Sequence, residues 1–409
     1  MKRLTVKLRF SAADEQEVGI LAEQGRRTYF EFDPRFLETG LELSPVKIPA
    51  RPGLIEHDDP GFGPLPGLFD DSLPDGWGLL LMDRRFRRQG LVPAEVSPLE
   101  RLACLGRRTM GALTYHPHES FESVERMINL HVLGRNAEDV FEGDAAEVLP
   151  QLHLAGGSPA GARPKVLVGI HGDRMITGED DLPPGFEHWL VKFSARRDAP
   201  HAGPVEYAYS LMARAAGIEM MPARLFTVKK GRSTRRWFGV RRFDRAEGNR
   251  RFHVHTFANL VHINFRIPSA DYADLFKITR ALTRNHQDVL RLFRLMAFNI
   301  AAGNRDDHAK NFAFLLDHAS GEWALSPAYD LTRAPGPGGE HTMTVLGEGR
   351  APGRQHCLAL AGKAGLGERE AAAVIGEVND AVARWPSFAD EACCPRSVAA
   401  SITGAIRRL

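Results

Sequence analysis

The sequence predicts an α+β protein: an N-terminal α/β subdomain over residues 1–118, a connector over 119–150, a β-rich lobe over 151–245 and a helical C-terminal lobe over 246–409. Three observations carry this. A chain of 409 residues is too long for one ordinary core and sets the expectation at two or three domains. Its texture changes along the way, from short strand-like runs with Gly/Pro punctuation, through a strand-rich stretch with one clear helix, to helix-dominated sequence. One β interruption is expected in the helical part, in NFAFLLDHASGEWALSPAYD, where an acidic residue follows the second short strand.

Taken in order, LTVKLRF and RRTYFEF read as strands of the first part. A turn-rich segment, GFGPLPGLFDDSLPDGWG, leads into a helix opening near Pro74–Gly76, and residues 109–115 read as a closing strand. Residues 119–150 are acidic and helix-forming. In the β-rich lobe a Gly/Pro loop, AGGSPAGARPK, precedes the strands VLVGI and HWLVKF. VEYAYSLMARAAGI spaces Tyr207, Leu211, Met212 and Ala215 helically and ends at Gly217 as C-cap. ARLFTVKKGRSTRRWFGVRRFD reads as a hairpin with a basic tip.

Composition excludes several classes. The chain is 43% hydrophobic and 25% charged, so it can build cores without disulfide or metal staples. A formal charge of +2 gives no global attraction to nucleic acid, and the basic runs Arg84–Arg88 and Lys229–Arg236 read as solvated faces. Cys104, Cys357, Cys393 and Cys394 form no zinc-like spacing and read as reduced thiols of a cytoplasmic protein. No apolar run of about 18 residues occurs, so no membrane span is expected.

The chemistry concentrates in GNRDDHAKNFAFLL. Asp306 and Asn311 are five residues apart, and Asp330 follows the hairpin after them. Phosphoryl transfer needs a carboxylate to receive the proton of the attacking hydroxyl, with an amide oxygen and a second carboxylate to hold magnesium. Protein kinases carry these groups in the same order, R-D-x-x-x-x-N, a hairpin, then a magnesium Asp, and Tyr329–Asp330 stands where D-F-G would. Singly, Asp306, Asp307, His308 and Asn311 read as loop-capping residues; the combination is what points to chemistry. Lys192, odd among the apolar neighbours of its strand, and Glu206, opening the next helix, suit a phosphate-holding lysine and its partner. Alone, the pair reads equally well as an edge-strand lysine and a glutamate favoured by the helix dipole. The loop from Ser158 to Lys165 is small and basic enough for its backbone to approach phosphates, though it is not a Walker A motif.

The segments SPAGARPK, WLVKF, VEYAY, RRFDR, GNRDDHAKNFAF and LSPAYD, with LPGLFDDSLPDGWG ahead of them, together resemble the HipA family of toxin kinases over nearly the whole chain. The resemblance implies a two-lobed protein-kinase-like fold with an N-terminal addition, ATP and magnesium as cofactors, and Asp306 as the catalytic carboxylate. It further implies Asn311 and Asp330 as magnesium ligands, Lys192 on the ATP phosphates and His308 near them. Ala160, Gly161, Ala162, Arg163, Pro164 and Lys165 would form the phosphate-side loop, with Arg241, Arg242 and Phe243 as the adenine hinge and Ser158 as an autophosphorylated serine. Implied partners are a small helix-turn-helix antitoxin, through which operator DNA is mainly contacted, and a protein substrate such as an aminoacyl-tRNA synthetase. Two departures, RFHVHTFANLVH after RRFDR and Arg163–Pro164 in the loop, suggest a separate subfamily. Two other readings stand beside this one: a small-molecule phosphotransferase of the same fold, which the absence of a clear acidic substrate pocket disfavours, and a non-catalytic co-repressor partner of a DNA-binding antitoxin.

Overall fold

The protein is described here by a computed structural model covering residues 2–25, 27–118, 126–145, 147–156, 161–194, 201–230 and 233–409. In the N-terminal subdomain, alternation gives strands with one buried face. Along β1 (Lys2–Arg9), Leu4, Val6 and Leu8 are buried. It pairs with β2 (Glu15–Gln24), which pairs with β3 (Arg27–Phe32); after α1 (Pro34–Leu37), β4 (Ile55–His57) joins the far edge. The helices α2 (Gly67–Asp70), α3 (Gly76–Arg88) and α4 (Pro98–Leu105) follow. α4 opens with a capping box: Ser97 Oγ accepts the Glu100 N–H at 3.4 Å, and Glu100 Oε2 accepts the Ser97 N–H at 2.7 Å. β5 (Leu113–His116) returns beside β1, and the sheet order is β4-β3-β2-β1-β5.

The expected strand over 109–115 is shorter than its apolar pattern suggests. The carbonyls of Thr109 and Gly111 accept from Arg245 at 3.0 and 2.9 Å instead of joining a ladder. β2 is an addition to the expected strands, because its Glu and Gln ends and central Gly19 hide the alternation.

The segment after the subdomain packs on the β-rich lobe. Arg126 O accepts from Thr177 N, and Ile128 N donates to Met175 O, at 2.9 and 3.1 Å. α5 (Leu130–Glu142) and α6 (Pro150–Gly156) bury Leu133, Ala137, Val140 and Leu152 in a core shared with Trp77, Val166, Val168 and Trp237. Arg84, from the first basic run, donates to the Val140 and Ala145 carbonyls at 3.0 and 2.8 Å, satisfying the C-terminal end of α5.

The lobe itself is β6 (Lys165–His171), β7 (Arg174–Thr177), β8 (Glu187–Lys192), α7 (Ala202–Ala215), β9 (Ala223–Lys230) and β10 (Ser233–Arg241). Its order, β7-β6-β8-β10-β9, is antiparallel at every pairing. α7 packs so closely on β10 that a Cβ on Gly203 would lie 2.5 Å from Arg236 O. Its other face is anchored in the helical lobe: Tyr209 OH donates to Ala302 O at 2.7 Å, and its ring sits edge-on to Trp385 at 5.3 Å.

The helical lobe holds more β structure than expected. β11 (His253–Thr256), from the divergent RFHVHTF stretch, follows the lobe and precedes α8 (Phe257–Leu260). β12 (Ala270–Asp271), α9 (Tyr272–Thr283) and α10 (His286–Ala302) come next, then the hairpin β13 (Ala313–Asp317) and β14 (Glu322–Leu325). β11 adds a third strand to that hairpin, and β15 (Met343–Thr344) pairs in parallel with β12. Helices α11 (Arg354–Ala364), α12 (Glu368–Ala383), α13 (Trp385–Glu391) and α14 (Arg396–Thr403) close the chain. The fold is thus α+β and two-lobed, kinase-like, with an N-terminal addition. Among the described residues no helix is long and apolar enough to cross a membrane, and all four cysteines are free thiols.

Buried polar groups weld the parts together. Asp244 accepts from Arg242 at 2.8 and 2.7 Å, from Arg245 at 2.7 Å and from the Gly111 N–H at 2.8 Å. Burial alone would push its carboxyl up, but Arg242 and Arg245 hold it far below the usual range. Arg9 reaches Asp181 at 2.6 Å, and Arg251 reaches it at 3.2 Å.

Two buried histidines set an acid limit. Burial, with Arg242 and Arg245 nearby, lowers His188 to about 3; burial, with His255 beside it, lowers His253 to about 4. Both are neutral when folded and protonate near 6.5 when unfolded, so their contribution is complete above that pH and lost as pH falls below it. Stability is expected to drop by about 1.4 kcal/mol per pH unit for each such histidine. Thermal unfolding at pH 7 and pH 5 checks this, and equal midpoints would contradict it.

Candidate functional site

The site lies where the β-rich lobe, the helical lobe and the N-terminal subdomain meet. β6 and β8 pair with Lys165 directly opposite Lys192, so both lysines share one face. Burial and the neighbouring Lys192 lower Lys165 to about 8. Lys192 Nζ donates to Glu206 Oε1 at 2.5 Å and also to Asp330 Oδ1. Burial opposes the charge on Lys192, but the two carboxylates win and raise it above its ordinary value. Lys192 in turn holds Asp330 well below the usual carboxylate range, whereas burial raises Glu206. Lys192, Glu206 and Asp330 come from a strand, a helix and a loop in two lobes, and the structure joins them in one contact.

α10 delivers the second half. Gly303, at φ +68, ends the helix in the left-handed conformation. The chain then runs through Asn304 to Asp306, pinned by backbone and amide contacts. Thr342 donates its N–H and hydroxyl to Arg305 O at 3.1 and 2.9 Å, and Asn311 Nδ2 donates to Asp306 O at 2.7 Å. That bond commits the Asn311 amide nitrogen and leaves its Oδ1 as an oxygen donor. The Asp306 side chain is 60% exposed, with His308 Nε2 4.0 Å from Oδ1. Partial burial pushes its pKa up, His308 opposes this, and the carboxylates of Asp330 and Asp307 add to the rise. His308 Nδ1 is buried with no hydrogen-bond partner among the described residues.

Asp330 sits at φ +56, an unusual conformation for a residue with a side chain, and is 41% exposed. Tyr329 beside it is tied down: its hydroxyl donates to Lys310 O at 2.6 Å, and its ring lies 5.4 Å from Phe243. Tyr329 therefore connects the Asp330 segment to the Asp306 loop.

The expected hinge is only partly open to a ligand. Arg241 N–H and Arg242 N–H donate to the carbonyls of Pro222 and His188 at 2.9 Å each. The Arg242 side chain belongs to the Asp244 cluster, and Arg241 pairs with Glu187 at 3.0 Å. An adenine acceptor would have to use the Phe243 N–H. In the loop, Pro164 O accepts from Phe193 N at 2.8 Å, and Gly161 is left-handed at φ +100. A Cβ on Gly161 would collide with Lys165 Nζ, and the backbone there is one that side chains rarely adopt, so glycine is required. Ala162 and Arg163 are exposed beside it. Ser158 and Ala160 lie outside the described residues.

Sequence reasoning missed several residues at the site. Asp307, taken singly as a loop-capping residue, is fully buried and organises the loop. Its carboxylate accepts from Tyr272 OH and Thr342 N at 2.9 Å each and pairs with His341 Nδ1 at 2.9 Å. Lys310 lies 3.7 Å from Asp70 and 3.9 Å from Asp75, which brings the N-terminal subdomain to the cleft. The acidic triplet within LPGLFDDSLPDGWG was the available signal.

Among the described residues no three His, Cys, Asp or Glu side chains converge as a metal cage. The candidate donors are instead the Asp330 carboxylate and the Asn311 amide oxygen. Two hard oxygens with open positions suit a magnesium ion shared with phosphates.

Comparison with known proteins agrees with this architecture. The HipA-like C-terminal domain profile matches residues 157–385, and the HipA N-terminal domain profile matches residues 12–116. No curated protein matches the sequence. A solved structure of the Shewanella oneidensis MR-1 toxin–antitoxin system, HipA, HipB and its operator DNA complex, aligns with a TM-score of 0.68. It is 18% identical and covers 98% of this chain and 95% of that one, which establishes the shared fold. The Helicobacter pylori proinflammatory kinase CtkA aligns at a TM-score of 0.35 and 11% identity over 60% of this chain and 88% of its own, too distant to carry an argument. With its C-terminal domain profile spanning more than half of the residues and its N-terminal profile most of the remainder, the chain belongs to the HipA family.

Proposed function

We propose that this chain is a magnesium- and ATP-dependent serine/threonine protein kinase, the toxin of a toxin–antitoxin pair. The contact joining Lys192 to both Glu206 and Asp330, beside the exposed Asp306, carries the proposal. Phosphoryl transfer is mostly positioning and charge stabilisation, and these residues supply both. Bound ATP with magnesium supplies the transferable phosphoryl group and neutralises its charge. Lys192 and Lys165 attract the phosphates, and Glu206 holds Lys192 in place. Asn311 Oδ1 and Asp330 would hold the metal, with Asp330 giving up its contact with Lys192. Asp306 orients the target hydroxyl and accepts its proton, and its raised pKa makes it the better acceptor. His308 Nδ1, with no partner among the described residues, is available to a phosphate oxygen. Of the Arg241–Phe243 backbone, the Phe243 N–H would serve the adenine edge, since the Arg241 and Arg242 N–H groups are already bonded.

Family membership supports the remaining assignments: a cytoplasmic location for this chain, a protein target such as an aminoacyl-tRNA synthetase, autophosphorylation at Ser158, and a helix-turn-helix antitoxin that carries most of the operator contact. The Shewanella complex, in which HipA is found with HipB and operator DNA, supports the last of these.

Asp330→Ala tests the site directly. The variant keeps the Lys192–Glu206 pair but loses a hard ligand, so magnesium-dependent ATP affinity should fall at least about tenfold, the equivalent of about 1.4 kcal/mol. Calorimetry with and without magnesium reads this. An unchanged magnesium dependence would place the metal elsewhere.

A further inference from the structure

Asp75 occupies the N-cap position of α3, yet its side chain makes no capping hydrogen bond. An aspartate there ordinarily accepts the first free amides of its own helix. Here the carboxylate instead accepts the Gly161 N–H across the cleft. The contact is one of several. Trp77 N–H donates to Gly161 O at 3.1 Å, and Trp77 Nε1 donates to Lys165 O at 2.9 Å. Gly76, at φ +42, approaches so closely that a Cβ would lie 2.5 Å from Ala162 Cα. The N-terminal subdomain thus grips the described part of the phosphate-side loop by its backbone.

We infer that Asp75 is an autoinhibitory latch: its carboxylate holds the loop amide that a nucleotide phosphate oxygen would otherwise accept from. The inference rests on the nucleotide site proposed above. Two anionic acceptors compete for one N–H, and a carboxylate left in place would also repel the phosphates. Nucleotide binding therefore displaces Asp75. An alternative partner stands ready to receive it: Lys310, 3.9 Å away. The N-terminal subdomain on this account sets how readily the cleft accepts nucleotide, and any partner that pulls on it would shift that affinity.

The test is calorimetric titration of the full-length protein with magnesium AMP-PNP and, separately, with adenosine, which has no phosphates. Removing one charge-assisted competitor in Asp75→Ala should tighten AMP-PNP binding about tenfold. Adenosine affinity should not change. Asp75→Asn keeps an acceptor without the charge and should fall between the two. Because Asp75 does not cap α3, the unfolding midpoint of Asp75→Ala should stay near that of the wild type. If the wild type binds AMP-PNP and Asp75→Ala binds it equally or more weakly, the carboxylate organises the loop rather than blocking it, and the latch is overturned while the nucleotide site stands. If neither protein binds AMP-PNP, the nucleotide site and the latch fail together.

Discussion

Asp306→Asn is expected to keep the fold and nucleotide binding while lowering phosphoryl transfer by about 10²–10⁴, the usual worth of a general base. The structure separates chemistry from architecture at this residue. What fixes the loop is backbone: Asp306 O accepts from Asn311, and Arg305 O accepts from Thr342. The carboxylate itself is 60% exposed, with only the distant His308 as an ion-pair partner among the described residues. The amide is nearly isosteric and breaks none of the bonds that hold the loop, but it cannot take the hydroxyl proton. Overproduction of the wild-type chain should accordingly arrest growth, and Asp306→Asn should relieve the arrest. Purified Asp306→Asn transferring phosphate at the wild-type rate would move the catalytic role to another group.

Asp307→Ala should do the reverse and damage the fold. Its buried carboxylate holds Tyr272, His341 and the Thr342 amide, and Tyr272 is itself bonded to Asn299 at 3.2 Å. Removing the centre of a buried charged network strands several polar groups at once and costs about 3–5 kcal/mol. Urea unfolding measures this as a lowered midpoint. A wild-type midpoint would mean that the network contributes little and that the loop is held by other contacts. Two adjacent aspartates, indistinguishable by residue type, are therefore expected to fail in opposite ways.

That contrast shows what the sequence made legible. The order of Lys192, Glu206, Asp306, Asn311 and Asp330 is legible in the sequence as a candidate set, and the structure brings Lys192, Glu206 and Asp330 into direct contact. Strands β6, β8, β9 and β10 of the β-rich lobe and the Gly217 terminus of α7 were readable because local periodicity and turn chemistry decide them, whereas the short edge strand β7 was not. Asp307 was not, because its role depends on His341 and Tyr272, more than 30 residues away on either side. Nor was Asp75, since an N-cap aspartate reads as a helix signal wherever its carboxylate turns. β11 escaped notice because its histidines obscure the alternation; in the fold they are buried, His253 against the Leu43 carbonyl and His255 between Ser44 and Asp71. The RRFD segment read as a hinge is equally a weld, since Arg242 and Asp244 close a buried ion cluster that grips Gly111 of the N-terminal subdomain.

The most direct test of the central claim is transfer of label from γ-³²P-ATP, with magnesium, to a cell lysate by the purified wild-type chain and by Asp306→Asn. The account predicts discrete labelled protein bands, on serine or threonine, with the wild type alone. Label appearing in small metabolites and not in protein, or protein labelling that persists undiminished with Asp306→Asn, would contradict it.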